Sequence, residues 1–496
     1  MSAASRFDII ESPLSGTVLI EASAGTGKTY AISGLYLRLI LERALEVENI
    51  LVVTFTVAAT GELRERLRGR LRATLSMLDD PDGGGGCGRD LLDLREKYAD
   101  DPLQRALVER YGSDPEARER LSRAIRNFDE ASIFTIHSFC QRALLENAFE
   151  SGVLFESELG AADAEEIDGI AEDFFRKNWY EAPLPFVEFS SAERVSPAYF
   201  SLLARKRPLD PDYILEGGAG SIDAGGVLEI ARRLDDEYPR FRESWSAGRE
   251  RASAFLFDAL RDEILKANMY SEAIIARMIE RMDDYGAGGL PLSTGDLKKF
   301  RTASLEKAFR KGRSVALPPI MERCEEYLAL CDEANRRFDE YLVSLKREFL
   351  SFVEKELHRR KELRAVRSFD DLIRGMHEAL RGGGGSALAR SVRRRYAAAL
   401  IDEFQDTDPV QYSIFTTIFG TDESLLYLIG DPKQAIYGFR GADIFAYMRA
   451  AASAGTKATM DVNRRSAPEL VGAVNAIFSR VRDPFVFPEI GFTPVS

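Results

Sequence analysis

The stretch Val18–Thr29, VLIEASAGTGKT, constrains this chain more than any other, because few folds accept so many small residues between a strand and a helix. Val18, Leu19, Ile20 and Glu21 read as a short buried strand, while Ile32, Leu35, Tyr36, Leu39 and Ile40 keep the spacing of a helix face. Between them, Ala22, Ser23, Ala24, Gly25, Thr26 and Gly27 form the small-residue loop of a phosphate-binding turn. Backbone N–H groups of Ala24–Lys28 would face phosphates at the positive end of the following helix. Lys28 would reach the β- and γ-phosphates of ATP, and the Thr29 hydroxyl would hold Mg²⁺. Ala22 stands where the first glycine of the strict pattern is written. A chance GTGKT in a strand–helix turn is therefore the competing reading.

The 496 residues leave room for roughly two to four domains. Apolar and charged fractions of 45% and 30% are those of a globular protein. A net charge of −13 argues against a uniformly basic surface but permits a local basic stripe that meets nucleic acid. The four cysteines (Cys87, Cys140, Cys324, Cys331) make neither a CxxC pair nor a disulfide framework. The opening MSAASRFDIIESPL carries no basic-then-apolar leader, and no apolar run reaches membrane-spanning length. A cytoplasmic protein is expected.

Along the chain, Ile50–Phe55 is a continuous apolar strand, as a sheet buried on both faces requires. Thr56 can cap the helix that follows. Arg64, Arg66, Arg68, Arg70 and Arg72 crowd that helix, either as a solvated face or as contacts to a phosphate backbone. Residues 79–89 form a glycine-rich loop, and Ile133–Ile136 is strand-like and runs into His137. No second metal ligand lies at useful spacing from that histidine. From about 156 to 365 the strands vanish and helical spacing takes over, with glycine-rich breaks at 217–226 and 286–289. After Pro318-Pro319, apolar residues from Ile320 to Phe352 recur every 3.5 residues on average, which predicts a long helix packed lengthwise on a partner. Cys324 and Cys331 lie seven apart in that seam and read as core. Ser368 and Asp371 fit a capping box, and a GGGGS loop (382–386) leads back towards strands.

The second half of the chemistry begins at Ala397–Ile401, a buried strand ending in Asp402-Glu403. An acidic pair at the carboxyl end of a strand lies where α/β sheets hold ligands. Asp402 would ligate Mg²⁺, and Glu403 would orient and deprotonate an attacking water. A solvated acidic turn is the alternative. Leu425–Ile429 then opens into GDPKQAIYGFRGAD, where Gln434 is placed to sense a γ-phosphate. Tyr437, Phe439 and Arg440 share one glycine-rich loop, and bases stack on such groups regardless of sequence. Core aromatics are the alternative there. Asn463-Arg464-Arg465-Ser466 precedes an amphipathic helix, and Arg465 could reach the nucleotide from a second domain.

ASAGTGKT, TFTVAATGELRERL, FTIHSFCQRAL, LIDEFQDTDP, LIGDPKQAIYGFRGADIFAYM and NRRSAPELV stand in the order found in superfamily 1 helicases. With ENAFESGVLFE (146–156) and SFDDLI (368–373), the chain most resembles the RecB family of UvrD-like helicases, the β subunits of exodeoxyribonuclease V. The resemblance implies an α/β fold: a P-loop RecA-like parallel-sheet domain (1–155 and 366–462) with an insertion at about 76–128. A large all-helical domain (156–365) is inserted into it, and 463–496 would begin a second RecA-like domain. It further implies a 3′→5′ DNA translocase that uses ATP and Mg²⁺ on single-stranded DNA and duplex ends, with RecC-like and RecD-like partners.

By the same resemblance Lys28, Thr29, Asp402, Glu403, Gln434 and Arg465 serve the nucleotide. Phe55, Thr56, His137, Tyr437, Phe439 and Arg440 serve DNA. No glutamine precedes the phosphate loop where other relatives carry one, and Arg464 replaces the tyrosine that stacks on adenine in UvrD-like proteins. The family's motifs V and VI and its nuclease domain would lie beyond Ser496. Two rivals stand beside this reading: a P-loop ATPase that moves protein, and a DNA-binding or assembly module without turnover.

Overall fold

The computed structural model describes residues 5–79, 93, 96, 98, 100–151, 158–159, 163–207, 224–288, 291–292, 295–364, 366–421, 424–438 and 442–496. The chain divides into two compact units. One comprises Met1–Ala161, Pro208–Pro211 and Ala365–Ser496, and the other Ala162–Arg207 and Asp212–Arg364.

The described strands are β1 (Ser5–Arg6), β2 (Gly16–Ala22), β3 (Ile50–Thr54), β4 (Ile133–Thr135), β5 (Glu158–Leu159), β6 (Val366–Arg367), β7 (Ala398–Ile401), β8 (Leu425–Gly430) and β9 (Thr456–Met460). Seven form one sheet in the order β1-β9-β2-β8-β7-β3-β4, and every pairing in it is parallel. Alternate residues of the central strands feed two separate cores, as a pleat of period two demands. Val18, Ile20, Val52, Leu400 and Tyr427 enter one core, with helix α1 (Lys28–Arg43) and helix α2 (Val57–Asp79). Leu19, Leu51, Ile401, Leu426 and Leu428 enter the other, with the helices Ile136–Glu146, Phe369–Arg381 and Pro409–Phe419. Covering both faces explains the unbroken apolar runs. The fold is the α/β parallel-sheet class expected.

Several local expectations shift. The strands expected to end at Phe55 and Ile136 stop at Thr54 and Thr135, with a helix starting at Ile136 in one case and at Val57, after a two-residue bend, in the other. The expected loop 382–386 is shorter, because Gly385 and Ser386 already belong to the helix Gly385–Arg395. Leu388, Ala389 and Val392 on that helix are buried, and their packing outweighs the cost of a glycine in its first turn. The run Arg393–Arg395 sits in the same helix's last turn, where positive charge opposes the negative end of the helix dipole, and Arg393 donates to the Ile418 carbonyl. Strands do not wholly vanish after 156, since β5 pairs with β6. Loop residues 80–89 lie outside the described residues.

The second unit is helical. Pro319–Arg364 is a single helix of 46 residues that packs along Ala224–Arg261. Gly225 and Gly226 therefore fall in the first turn of a helix, although a break was expected there. Cys324 and Cys331 are buried in the seam, and burial pushes both thiols up to about 12.

The arginine run of α2 is mostly consumed by the fold. Arg70 is fully buried, donates to Asp101 and to Ser33 Oγ (2.9 Å), and lies over the rings of Tyr30 (4.7 Å) and Tyr98 (5.3 Å). Arg66 pairs with Glu62 and Arg68 with Asp129, while Arg64 donates to the Ala131 carbonyl. Asp101 also caps the helix Pro102–Tyr111 by accepting from Leu103 N–H. Asp101→Ala strips a buried guanidinium of its counter-charge, so a loss of about 3–5 kcal/mol is expected. The midpoint of urea unfolding measures it. A loss below about 1 kcal/mol would mean the pair is dispensable.

Candidate nucleotide site and nucleic-acid face

A parallel sheet gathers the carboxyl ends of its strands on one edge, and here that edge carries the residues singled out above. β2 and β8 are in register from Gly16↔Leu425 to Glu21↔Gly430, and β8 is in register with β7 up to Leu428↔Ile401. The loop after β2 and the acidic turn after β7 are thereby brought together.

Ala22, in the place of the first glycine, is still a ladder residue paired with Met460 and fully buried, so a side chain fits there. The turn proper begins at Ser23, whose carbonyl accepts from Thr26 N–H (3.1 Å) and Thr26 Oγ1 (2.7 Å). Gly25 (φ 78°) and Gly27 (φ 102°) occupy the left-handed region that residues with a Cβ avoid. Gly27 is the N-cap of α1, which starts at Lys28 and carries Thr29 in its first turn. The loop is closed from outside by the segment after β9. Asn463 Nδ2 donates to the Ala24 carbonyl (3.1 Å), and Arg464 N–H donates to the Gly25 carbonyl (2.9 Å). A Cβ on Gly25 would lie 2.7 Å from Asn463 Oδ1 and 3.0 Å from Arg465 Cβ. Arg465 itself is exposed beside the loop.

Lys28 Nζ contacts Glu403 Oε2 at 2.5 Å. Glu403 holds the left-handed conformation (φ 50°) and donates its N–H to Asp402 Oδ1 (2.9 Å). Burial and the neighbouring Glu403, partly offset by Lys28, push the Asp402 carboxyl up to about 6. Asp406 is raised to about 6 by the same causes, and its Oδ1 is buried with no hydrogen-bond partner. Three carboxyls therefore face one ammonium, and the surplus negative charge suits a divalent cation. Among the described residues no cluster of three or more His, Cys, Asp or Glu forms a cage for one. Mg²⁺, the expected cation, keeps several waters and takes oxygens from substrate phosphates. Asp402 and the Thr29 hydroxyl are the groups that would hold it.

Sequence reasoning passed over Gln405, Asp431 and Lys433. Gln405 is buried, donates to Glu403 Oε2 (2.7 Å) and accepts from Asp431 N–H (2.9 Å). Gly430 must be a glycine here, because a Cβ would lie 2.6 Å from Gln405 Oε1. Asp431 accepts from Gln434 Nε2 (2.7 Å) and from Lys433 Nζ (2.9 Å), and Lys433 also reaches Glu21 Oε1 (2.6 Å). Gln434 is thus held by Asp431. The one hint in the sequence was a polar pair, Gln405-Asp406, following directly on a buried strand and its acidic end.

The same edge carries the aromatics. Phe55 and Tyr437, both half-buried, stack with centroids 5.9 Å apart and planes at 23°. Thr56 is exposed, and its hydroxyl accepts from Ala59 N–H. His137 packs edge-on against Phe369 (5.3 Å), and burial lowers its pKa. Phe369, which was not singled out, is 54% exposed at the start of a helix capped by Ser368 and Asp371 as expected. Phe439 and Arg440 lie outside the described residues.

A model of the UvrD/REP helicase N-terminal domain matches residues 4–454. The chain belongs to the UvrD/REP helicase family. It is similar to the RecBCD enzyme subunit RecB of Escherichia coli (strain K12), with 37% identity over 99% of this chain and 40% of that protein. The RecB subunit of Haemophilus influenzae is 33% identical over 97% of this chain and 41% of the relative. That of Mycolicibacterium smegmatis is 29% identical over 93% of this chain and 29% of the relative. The chain spans about two fifths of the length of the first two relatives. As a class, helicases of this family use a nucleoside triphosphate and a divalent metal, which fits the phosphate loop and the carboxylate surplus of this helicase domain. No described helix is long and apolar enough to cross a membrane.

The raised carboxyls fix the sign of a pH effect. Asp402 and Asp406 titrate near 6 when folded and near the usual ~3.9 when unfolded, so the folded chain binds more protons between those values. Without metal, the contribution of these two groups to stability falls as pH rises from about 4 to about 6 and is level above. Asp406→Asn is expected to raise stability at pH 8 by on the order of 1–2 kcal/mol and to change little at pH 4. Denaturant titrations in EDTA at both pH values check this. Equal shifts at the two would acquit Asp406.

Proposed function

We propose that this chain is the ATP-driven motor portion of a RecB-like helicase–nuclease subunit, moving 3′→5′ along single-stranded DNA from duplex ends in double-strand-break repair. RecC-like and RecD-like subunits are its partners in that reading, and the cytoplasm is its compartment. The polarity and the partners rest on likeness to the RecB subunits. The sheet unit is read as the RecA-like ATPase domain, 156–365 as its helical insertion, and 463–496 as belonging to a second RecA-like domain.

One observation carries the proposal: the phosphate loop, the Lys28–Glu403 pair and the stacked Phe55–Tyr437 rings all lie on one sheet edge. Lys28 leaves Glu403 for the γ-phosphate when ATP enters. That frees Glu403, still held by Gln405, to orient a water and take its proton. Asp402 and the Thr29 hydroxyl would hold the cation, which would supply positive charge against the phosphates. Gln434 exchanges its bond to Asp431 for one to the γ-phosphate, and Arg465 meets the phosphates from beside the loop. Bases stack on the Tyr437 and Phe55 rings, a mode indifferent to sequence, as a motor requires. DNA-stimulated ATP turnover separates this reading from an ATPase that moves protein.

Lys28→Ala is expected to weaken Mg·ATP binding by at least about tenfold, since a charge-assisted bond of about 1.5–3 kcal/mol is lost. Titration calorimetry measures it, and unchanged affinity would make the loop structural. Tyr437→Ala is expected to weaken binding of a dT oligonucleotide by about 1–3 kcal/mol while nucleotide affinity holds. Full DNA affinity in the folded variant would return both rings to a packing role.

A further inference from the structure

The opposite edge of the sheet, where the strands begin, holds a cleft of about 390 Å³ that the motor reading does not use. Four guanidinium groups line it: Arg43 from the last turn of α1, and Arg390, Arg393 and Arg394 from the helix Gly385–Arg395. Two of them are anchored. Arg43 donates to the Leu14 carbonyl (2.8 Å) and Arg393 to the Ile418 carbonyl (2.7 Å), so each stays in place with donors to spare. Arg390 and Arg394, one helical turn apart, are exposed and form no ion pair among the described residues. No described carboxylate or aromatic side chain lines the cleft. Its floor is apolar, with Leu14, Leu39 and Leu425.

In a chain of net charge −13, four guanidinium groups with no ion pair among the described residues repel each other around one cleft, and an anion entering it relieves that cost. The planar guanidinium fork matches a carboxylate through two parallel hydrogen bonds. The leucine floor would stay wet under a small inorganic anion. A nucleic-acid backbone would need an extended basic stripe, and its bases a ring to stack on. From these features we infer that the cleft is a docking site for an acidic peptide segment of a partner protein, with carboxylates on the arginines and one leucine-sized side chain on the floor.

The test uses the full chain and a fluorescein-labelled peptide of alternating Asp-Glu pairs and leucines, followed by fluorescence anisotropy. Saturable binding is expected. It should weaken as salt rises and fall at least about tenfold in Arg390→Glu/Arg394→Glu, as the loss of one charge-assisted bond of about 1.5–3 kcal/mol implies. Arg390→Gln/Arg394→Gln is expected to fall in between, and Lys28→Ala to bind as the parent does, which separates this site from the nucleotide loop. No saturable binding up to about 1 mM, weaker than −4.1 kcal/mol, overturns the inference. So does equal binding by the charge-reversed variant. So does equal binding of a peptide with serine in place of leucine, or stronger competition from a dT oligonucleotide or pyrophosphate than from unlabelled peptide.

Discussion

The contact between Lys28 and Glu403 joins residues 375 apart in sequence, and the carboxyl edge of the sheet is arranged around it. It exists only if β2, β8 and β7 lie side by side, parallel and in register, so that the phosphate loop and the acidic turn open on the same edge. The pair is not sealed. The lysine side chain is 14% exposed and the glutamate 36%, so neither ion carries the full cost of burial and the partnership can be exchanged. A permanently buried bridge would be a poor place for an incoming phosphate. Here the two groups stay paired within reach of solvent, with Gln405 on the same Glu403 oxygen.

From Glu403 a continuous line of hydrogen bonds leads away from the loop. Gln405 bonds both Glu403 and the backbone of Asp431, and Asp431 in turn holds Gln434 and Lys433. Three residues beyond Gln434, Tyr437 lies on Phe55. The chemistry proposed for ATP and the rings proposed for DNA are therefore separated by one buried amide and one short turn. Contacts of 2.7–2.9 Å, one buried and two part-buried, thus connect Glu403 to the turn that carries the aromatic face. Gln405 suits such a link because its amide donates in one direction and accepts in the other.

The surplus of negative charge at this edge contrasts with the cationic cleft at the other. Both are local departures from neutral pairing, and both sit at ends of buried parallel strands where helix termini also converge. Elsewhere charge is spent on the fold: the arginine run of α2 buries Arg70 against Asp101 and pairs Arg66 and Arg68 on the surface. A basic run in sequence therefore said little about where positive charge is available. The cleft arginines, by contrast, come from two helices far apart in the chain.

What the sequence by itself determined is everything that acts over a few residues. Apolar runs marked the strands, small residues with two glycines marked the phosphate turn, and Ser368 with Asp371 marked a helix start. The 3.5-residue spacing after Pro319 marked a long seam. These features are set by backbone sterics, side-chain periodicity and capping, which need no distant partner. Only the tertiary structure decided the rest. It settled that Ala22 is a ladder residue, that Gly385 joins a helix because its neighbours are buried, and that Gln405 lies between two acidic turns. It also put Phe369 on His137 and, among the described residues, left Arg390 without a carboxylate while enclosing Arg70. Each of those outcomes depends on which strands and helices become neighbours, and a residue's own segment carries no information about a partner that arrives from 30 or 300 positions away.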